Sequence, residues 1–200
     1  MILLNSNAEN IFWLGRYLTR TQYLCSIYPF QNDDAARDYA HAFCLPAFDA
    51  SSLNELVLDP QHPISFVSQF QYAHNNILDL RGVLSASAYA ELNQLIQNAS
   101  ENAGYICDVA ADCQEVLEAE SEAVFLFFCL GQCMENLDRQ LRFKQDMSAT
   151  LAQLKHVVAA LSKTGSNGLK DALDELNLAP CSMQFYHFSD HVQAMFEADA

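Results

Sequence analysis

The sequence predicts an all-α protein: one multi-helix antiparallel bundle of about seven to nine helices with an internal pseudo-repeat. Three observations carry that expectation. Gly and Pro are scarce, six and five in 200 residues, while Ala, Leu, Gln and Glu are plentiful, a balance that favours helix over sheet. No segment alternates apolar and polar residues at period two for long enough to make a convincing strand. Third, a helical phrase recurs: Ile11-Phe12-Trp13-Leu14-Gly15-Arg16-Tyr17-Leu18-Thr19-Arg20 returns, altered, as Phe127-Phe128-Cys129-Leu130-Gly131-Gln132-Cys133-Met134-Glu135-Asn136. Gly15 aligns with Gly131, and a mid-helix Gly costs roughly 1 kcal/mol against Ala. Gly placed there twice points to close helix–helix approach. The two copies point to two halves, about residues 1–104 and 105–200, packed against each other in one domain.

The elements follow in order. A first helix is expected from about Ala8 to Ser26, capped by Ser6 or Asn7, with Glu9 in its first turn and an apolar stripe of Ile11, Leu14, Leu18 and Cys25. Pro29 and Asn32-Asp33-Asp34 break the chain, and short helices are expected around Ala35–Cys44 and Ser51–Leu56. Asp59-Pro60-Gln61-His62-Pro63 reads as a turn, with Pro63 at the first position of a helix running to about Leu84. Ser85 caps another, ending near Gly104. A long helix or a broken pair covers Ile106 to about Lys144, and its middle, Ala123–Leu130, is apolar all round, as a buried central helix is. A further helix covers Ser148–Ser162. Thr164-Gly165-Ser166-Asn167-Gly168 reads as a flexible loop, and the tail as two short helices divided by Pro180.

Composition bounds the function. The longest apolar run, Ala123 to Leu130, is far shorter than the roughly 18–20 residues a bilayer span needs. Met1 to Trp13 lacks the basic start and long apolar stretch of a signal peptide, so a cytoplasmic protein is expected. Seven cysteines, an odd number, are then expected to be reduced thiols packed as small hydrophobes. Net charge is −15, and between Asp38 and Asp138 fifteen acids face one base, Arg81. Such a surface argues against nucleic acid and anionic membrane as partners and tolerates a basic protein.

Several residues invite a chemical role. Glu9, Trp13, Arg16 and Arg20 lie at i, i+4, i+7 and i+11 and share one helix face. Two arginines at i, i+4 repel unless an anion compensates. That anion is either a bound carboxylate or phosphate, gripped by the guanidinium forks, or a structural acid. Glu135 has a local partner at i+4 in Arg139. It also has a distant one in Arg20, because each copy of the phrase keeps the half of a Glu-Arg pair that the other lacks.

Metal and nucleophile signals are weaker. No pair of Glu-x-x-His motifs of the di-iron type occurs. His187 and His191, with Asp190 and Cys181 nearby, read either as ligands or as ordinary polar surface. Cys129 and Cys133 read as core, and Asp112, Glu115, Glu118 and Glu122 as a solvated acidic stripe. There is no Gly-x-Ser-x-Gly elbow and no phosphate-cradling glycine loop, and nothing in the spacing singles out a Cys-His pair. No metal and no cofactor is implied.

These residues resemble the Alpha-E domain family, bacterial all-helical proteins named for a Glu-Arg motif. The first signature is similar to Ala8 through Arg20, where Glu9, Asn10, Trp13, Gly15, Arg16, Tyr17 and Arg20 fit and Thr19 stands in place of Glu. The second resembles Asp59-Pro60 through Ser65, then Ala73-His74-Asn75-Asn76 and Leu80-Arg81, closing with Ser85, Tyr89 and Leu92-Asn93. Asn76 and Arg81 fit, whereas His74, Asn75 and Leu78 replace charged family residues. The third repeats the first at Phe127 to Asn136, with Gln132 and Asn136 in place of Arg. The chain looks like a divergent and shortened member. The resemblance implies a role beside ATP-grasp ligase-like or transglutaminase-like proteins in peptide synthesis or modification. The expectation is a non-catalytic binding and scaffolding module with such a protein partner. Its alternative is an enzyme acting on an amide or peptide substrate in a cleft lined by Arg16, Arg20, Arg81 and Glu135.

Overall fold

The computed structural model describes residues 3–99, 103–163 and 168–197, and among them are ten helices and no strand. The helices are α1 (Asn5–Ile27), α2 (Asp33–Ala42), α3 (Ala50–Leu58), α4 (Phe66–Asp79), α5 (Ala86–Ala99), α6 (Ala103–Glu118), α7 (Glu122–Arg142), α8 (Ser148–Lys163), α9 (Leu169–Leu178) and α10 (Ser182–Glu197). The all-α bundle is as the sequence predicts, but with ten helices among the described residues rather than seven to nine, and α5 ends at Ala99 rather than near Gly104, which lies in α6. The expected long segment from Ile106 is the broken pair, α6 and α7, divided at residues 119–121.

Helices α1 and α7 are the axis of the bundle, and the repeated phrase is where they cross. A Cβ added to Gly15 would collide with the Phe128 carbonyl oxygen and stand 3.3 Å from the Gln132 amide nitrogen. A Cβ added to Gly131 would collide with the Phe12 carbonyl oxygen and stand 3.2 Å from the Arg16 amide nitrogen. Phe12, Gly15 and Arg16 correspond in the repeat to Phe128, Gly131 and Gln132, so the contact is reciprocal: each copy presents the same backbone to the other. Only glycine lets the two backbones approach this closely. The cost of mid-helix Gly is offset by the packing around it, where Phe12, Phe128, Leu14 and Leu130 are fully buried.

The remaining helices pack on both sides of this axis. One core joins α1, α2, α3, α4, α5 and α6 through Leu14, Leu18, Phe66, Phe70, Leu92, Ile106, Cys113 and Leu117, and takes Phe128 from α7. The other joins α7, α8, α9 and α10 through Leu130, Met134, Leu154, Leu173, Phe188 and Val192, and takes Phe12 from α1. Each core thus takes a phenylalanine from the repeated phrase of the other's central helix, and because α6 packs in the first core, the two cores divide between α6 and α7 rather than near residue 104.

Several local expectations are corrected. Helix α1 starts three residues early: Leu4 is its N-cap, no side chain caps it, and neither Ser6 nor Asn7 plays that part. Pro63 lies in the turn before α4, which Ser65 caps by accepting from the Ser68 amide. Helix α4 ends at Asp79 rather than near Leu84, with Leu80–Leu84 forming hydrogen-bonded turns. Ser85 caps α5 through Ala88, as expected. The loop expected over Thr164–Gly168 lies, apart from Gly168, outside the described residues.

The cysteines are not all thiols. Cys25 and Cys107 form a disulfide that ties the end of α1 to the start of α6 across 82 residues of sequence. Cys25 faces α6 rather than a purely apolar neighbour, so the stripe on α1 hid a bonding partner. Cys44, Cys113, Cys129, Cys133 and Cys181 are free, and Cys113, Cys129 and Cys133 are buried.

Candidate functional site

The crossing of α1 and α7 places three charged side chains at its edge. Immediately after Gly15, Arg16 points Nε at Glu135 Oε2, 3.0 Å away. One further turn along, Arg20 grips the same carboxylate with both edges of its fork, Nε to Oε1 at 2.6 Å and Nη2 to Oε2 at 2.8 Å. Glu135 is 4 % exposed. The side chains of Arg16 and Arg20 keep 13 % and 29 % of their surface in solvent. Gln69 also holds Arg20: Arg20 Nη1 donates to Gln69 Oε1 at 3.5 Å, and Gln69 Nε2 donates onward to the Pro63 carbonyl at 2.5 Å. This ties the turn before α4 into the same network.

Electrostatics follow the geometry. Burial acts to raise the Glu135 pKa, but the charges and hydrogen bonds of Arg20 and Arg16 outweigh it and hold the carboxyl below the usual glutamate range. Burial likewise acts to lower the Arg20 pKa, and Glu135 outweighs it, leaving the guanidinium raised and permanently charged. Around the cluster stands an aromatic wall. Arg16 lies over the Trp13 ring at 5.1 Å, Trp13 stacks on Tyr17 at 5.8 Å, and Tyr17 meets Tyr72 at 5.4 Å. Glu9 accepts from Trp13 Nε1 at 3.4 Å and has no hydrogen bond to the arginines among the described residues.

The structure therefore brings together Arg16, Arg20 and Glu135, with Trp13 alongside and Glu9 behind it. Arg139, the local alternative partner of Glu135, instead donates to Asn136 Oδ1 at 3.2 Å and Gln145 Oε1 at 3.0 Å, and lies over Tyr23 at 4.3 Å. Arg81 is exposed in the turn after α4 and makes no ion pair among the described residues, so the expected cleft of Arg16, Arg20, Arg81 and Glu135 does not form. Asn76 is half-buried on α4, and its Nδ2 has no hydrogen-bond partner among the described residues; the same holds for His74 Nε2. Asn75 and Leu78 are exposed.

Sequence reasoning missed Gln69, whose only signal was a polar residue on the apolar face of α4. It also missed Asp138, which accepts from Arg142 Nε at 3.0 Å while Arg142 Nη1 donates to the Ala42 carbonyl at 2.8 Å. At the far end, His187 Nδ1 lies 3.3 Å from Glu175 Oε2, and the His187 and His191 rings meet edge to face. Among the described residues no group of three or more His, Cys, Asp or Glu side chains is placed to hold a metal ion. No helix among the described residues is long and apolar enough to cross a membrane.

An arginine pair of one repeat closed on the glutamate of the other is the geometry expected of a Glu-Arg motif used across two helices. The family comparison agrees: a model described as a predicted alpha-helical domain with a conserved ER motif matches residues 3–166. The chain belongs to the Alpha-E family. No curated protein and no solved structure matches it significantly. Within this Alpha-E chain the Glu-Arg pairing joins α1 and α7 through residues 115 positions apart in sequence.

Proposed function

We propose that this Alpha-E chain is a non-catalytic binding and scaffolding module that works with an ATP-grasp ligase-like or transglutaminase-like protein in bacterial peptide synthesis or modification. One observation carries the non-catalytic half: the forks of Arg16 and Arg20 are filled by Glu135 of the same chain. A substrate carboxylate would have to displace a buried, doubly paired glutamate to reach them. The buried thiols point the same way. Burial, then neighbouring acids, pushes Cys113 up to about 12, and burial, then Cys129, pushes Cys133 up to about 12, so neither supplies a thiolate near neutral pH. The partner half rests on the family resemblance and on the net charge of −15, which suits a basic protein surface.

The test mixes the purified chain with an ATP-grasp ligase-like or transglutaminase-like protein of the same organism. Co-elution in size-exclusion chromatography that weakens with salt, together with no amide-forming or amide-cleaving turnover by the chain alone, is the expected result. Turnover by the chain alone that is lost in Arg16→Gln would favour the enzymatic alternative.

A further inference from the structure

The junction of α1, α2 and α7 holds a cavity of about 490 Å³, within the range of small-molecule sites. Four aromatic side chains line it: Tyr23 on α1, Phe30 beyond its end, Tyr39 on α2 and Phe143 at the C-cap of α7. Their rings form one cluster. Tyr39 stands 5.2 Å from Phe30, 6.0 Å from Phe143 and 6.5 Å from Tyr23, and Tyr23 stands 6.4 Å from Phe143. Phe30 and Tyr39 are buried, and Tyr23 and Phe143 are half-buried. The wall is set before any ligand arrives, because Asn54 clamps the Phe30 backbone: its Oδ1 accepts from the amide and its Nδ2 donates to the carbonyl, each at 2.9 Å.

Three features of this cavity select a cation. Asp38 is the only charged side chain among the described residues that line it. It shares one face of α2 with Ala35 and Tyr39, is exposed, and makes no ion pair or hydrogen bond among the described residues; the base beside it, Arg37, is taken by Asp34. Next, α1 runs 23 residues to Ile27, which also lines the cavity, and has no basic residue in its last turn. The negative end of its macrodipole is left without a cation of its own at the cavity wall. Last, aromatic faces attract cations, and this cluster already does so elsewhere: Arg139 lies 4.3 Å over Tyr23, and Arg142 lies 5.2 Å over Phe43, which packs on Tyr39 and Phe143. Neither arginine lines the cavity, and no cation of the chain lies over Phe30, Tyr39 or Phe143 among the described residues. We propose that this cavity binds a small organic amine, its hydrocarbon body against Tyr23, Phe30, Tyr39 and Phe143 and its ammonium at Asp38. An anion would meet both the carboxylate and the helix end with the wrong sign. The site lies apart from the Glu135 cluster, does not depend on the scaffolding proposal and needs no protein partner.

Titration with phenethylamine, followed through the backbone amide NMR signals, tests it. The signals of Gln31, Ala35, Asp38 and Phe143 should shift and saturate with Kd of about 0.1–1 mM. Phenethyl alcohol, which keeps the hydrocarbon body and loses the charge, should bind about tenfold more weakly, since an exposed ion pair, a helix end and the ring faces each add a small factor. Ethylamine, which keeps the charge and loses the ring, should also bind about tenfold more weakly or worse. Asp38→Asn should weaken phenethylamine about threefold and leave phenethyl alcohol unchanged. Ala35→Phe, which fills the cavity from an exposed position of α2, should remove binding of both. No saturating shift at these residues up to about 10 mM phenethylamine overturns the proposal. So does equal binding of the amine and the alcohol by the unaltered chain, a result that requires no variant to fold.

Discussion

Removing Glu135 should uncover what the crossing is worth. Glu135 is 4 % exposed, and its carboxylate accepts three N–H bonds, one from Arg16 and two from Arg20. Breaking a buried ion pair from one side typically costs about 3–5 kcal/mol, because the other charge stays buried and unpaired. Here Arg16 and Arg20 retain 13 % and 29 % side-chain exposure, so water recovers part of that cost. Glu135→Gln is therefore placed at the lower end, about 3 kcal/mol. Arg20→Met removes two of the three bonds but leaves Arg16 on the carboxylate, and should cost about 2 kcal/mol. The two changes delete the same interaction, so the double variant should lose about 3–3.5 kcal/mol rather than the sum. That is a coupling of about 1.5–2 kcal/mol. Urea unfolding of the four proteins, read by circular dichroism, measures it. Losses that add to within about 0.5 kcal/mol would refute the shared network and free Arg20 for a ligand.

Gly15→Ala and Gly131→Ala should each destabilise by about 1–3 kcal/mol, because the new methyl meets a backbone carbonyl rather than a movable side chain. Stabilisation in denaturant unfolding would remove the close-approach argument. Alkylation of unreduced, denatured protein should count five thiols, and seven would contradict the Cys25–Cys107 bridge. Under native conditions Cys44 and Cys181, the exposed pair, should react first. Reducing the disulfide, which closes 82 residues of chain, should lower stability by about 4.5 kcal/mol through the loop entropy returned to the unfolded chain.

Much of this was legible in the sequence because local rules and tertiary packing agree. The two glycines in apolar helical blocks announced the crossing, since nothing but a close approach repays Gly in mid-helix. The Arg20–Glu135 contact was legible from complementarity: a lone Glu beside the apolar run of α7 needed a cation, and the first copy had one to spare. What stayed hidden depends on which faces meet. The apolar stripe of α1 placed Cys25 inside, but only the arrival of α6 shows that Cys107 is its partner. Arg81 shared a signature with Asn76, yet the turn after α4 turns it to solvent. The rings of the aromatic cavity come from α1, the segment after it, α2 and the C-cap of α7, and no spacing along the chain joins them. Helix ends were least legible where no side chain caps them, as at Leu4.

The most direct test of the charge lock is the titration of Glu135 itself, followed by NMR of its carboxyl carbon together with the Nε–H signals of Arg16 and Arg20. Its folded pKa lies below the ordinary glutamate value of about 4.3, so between the two values the unfolded chain holds the extra proton. Stabilisation by the cluster is then complete above about pH 5 and is lost as pH falls through the folded value. The account predicts a Glu135 midpoint below about 4.3, with both arginine signals protected from exchange at neutral pH and unmoved by added acetate or phosphate. A midpoint at or above the ordinary value, or arginine signals that shift and saturate as an anion is added, would contradict it.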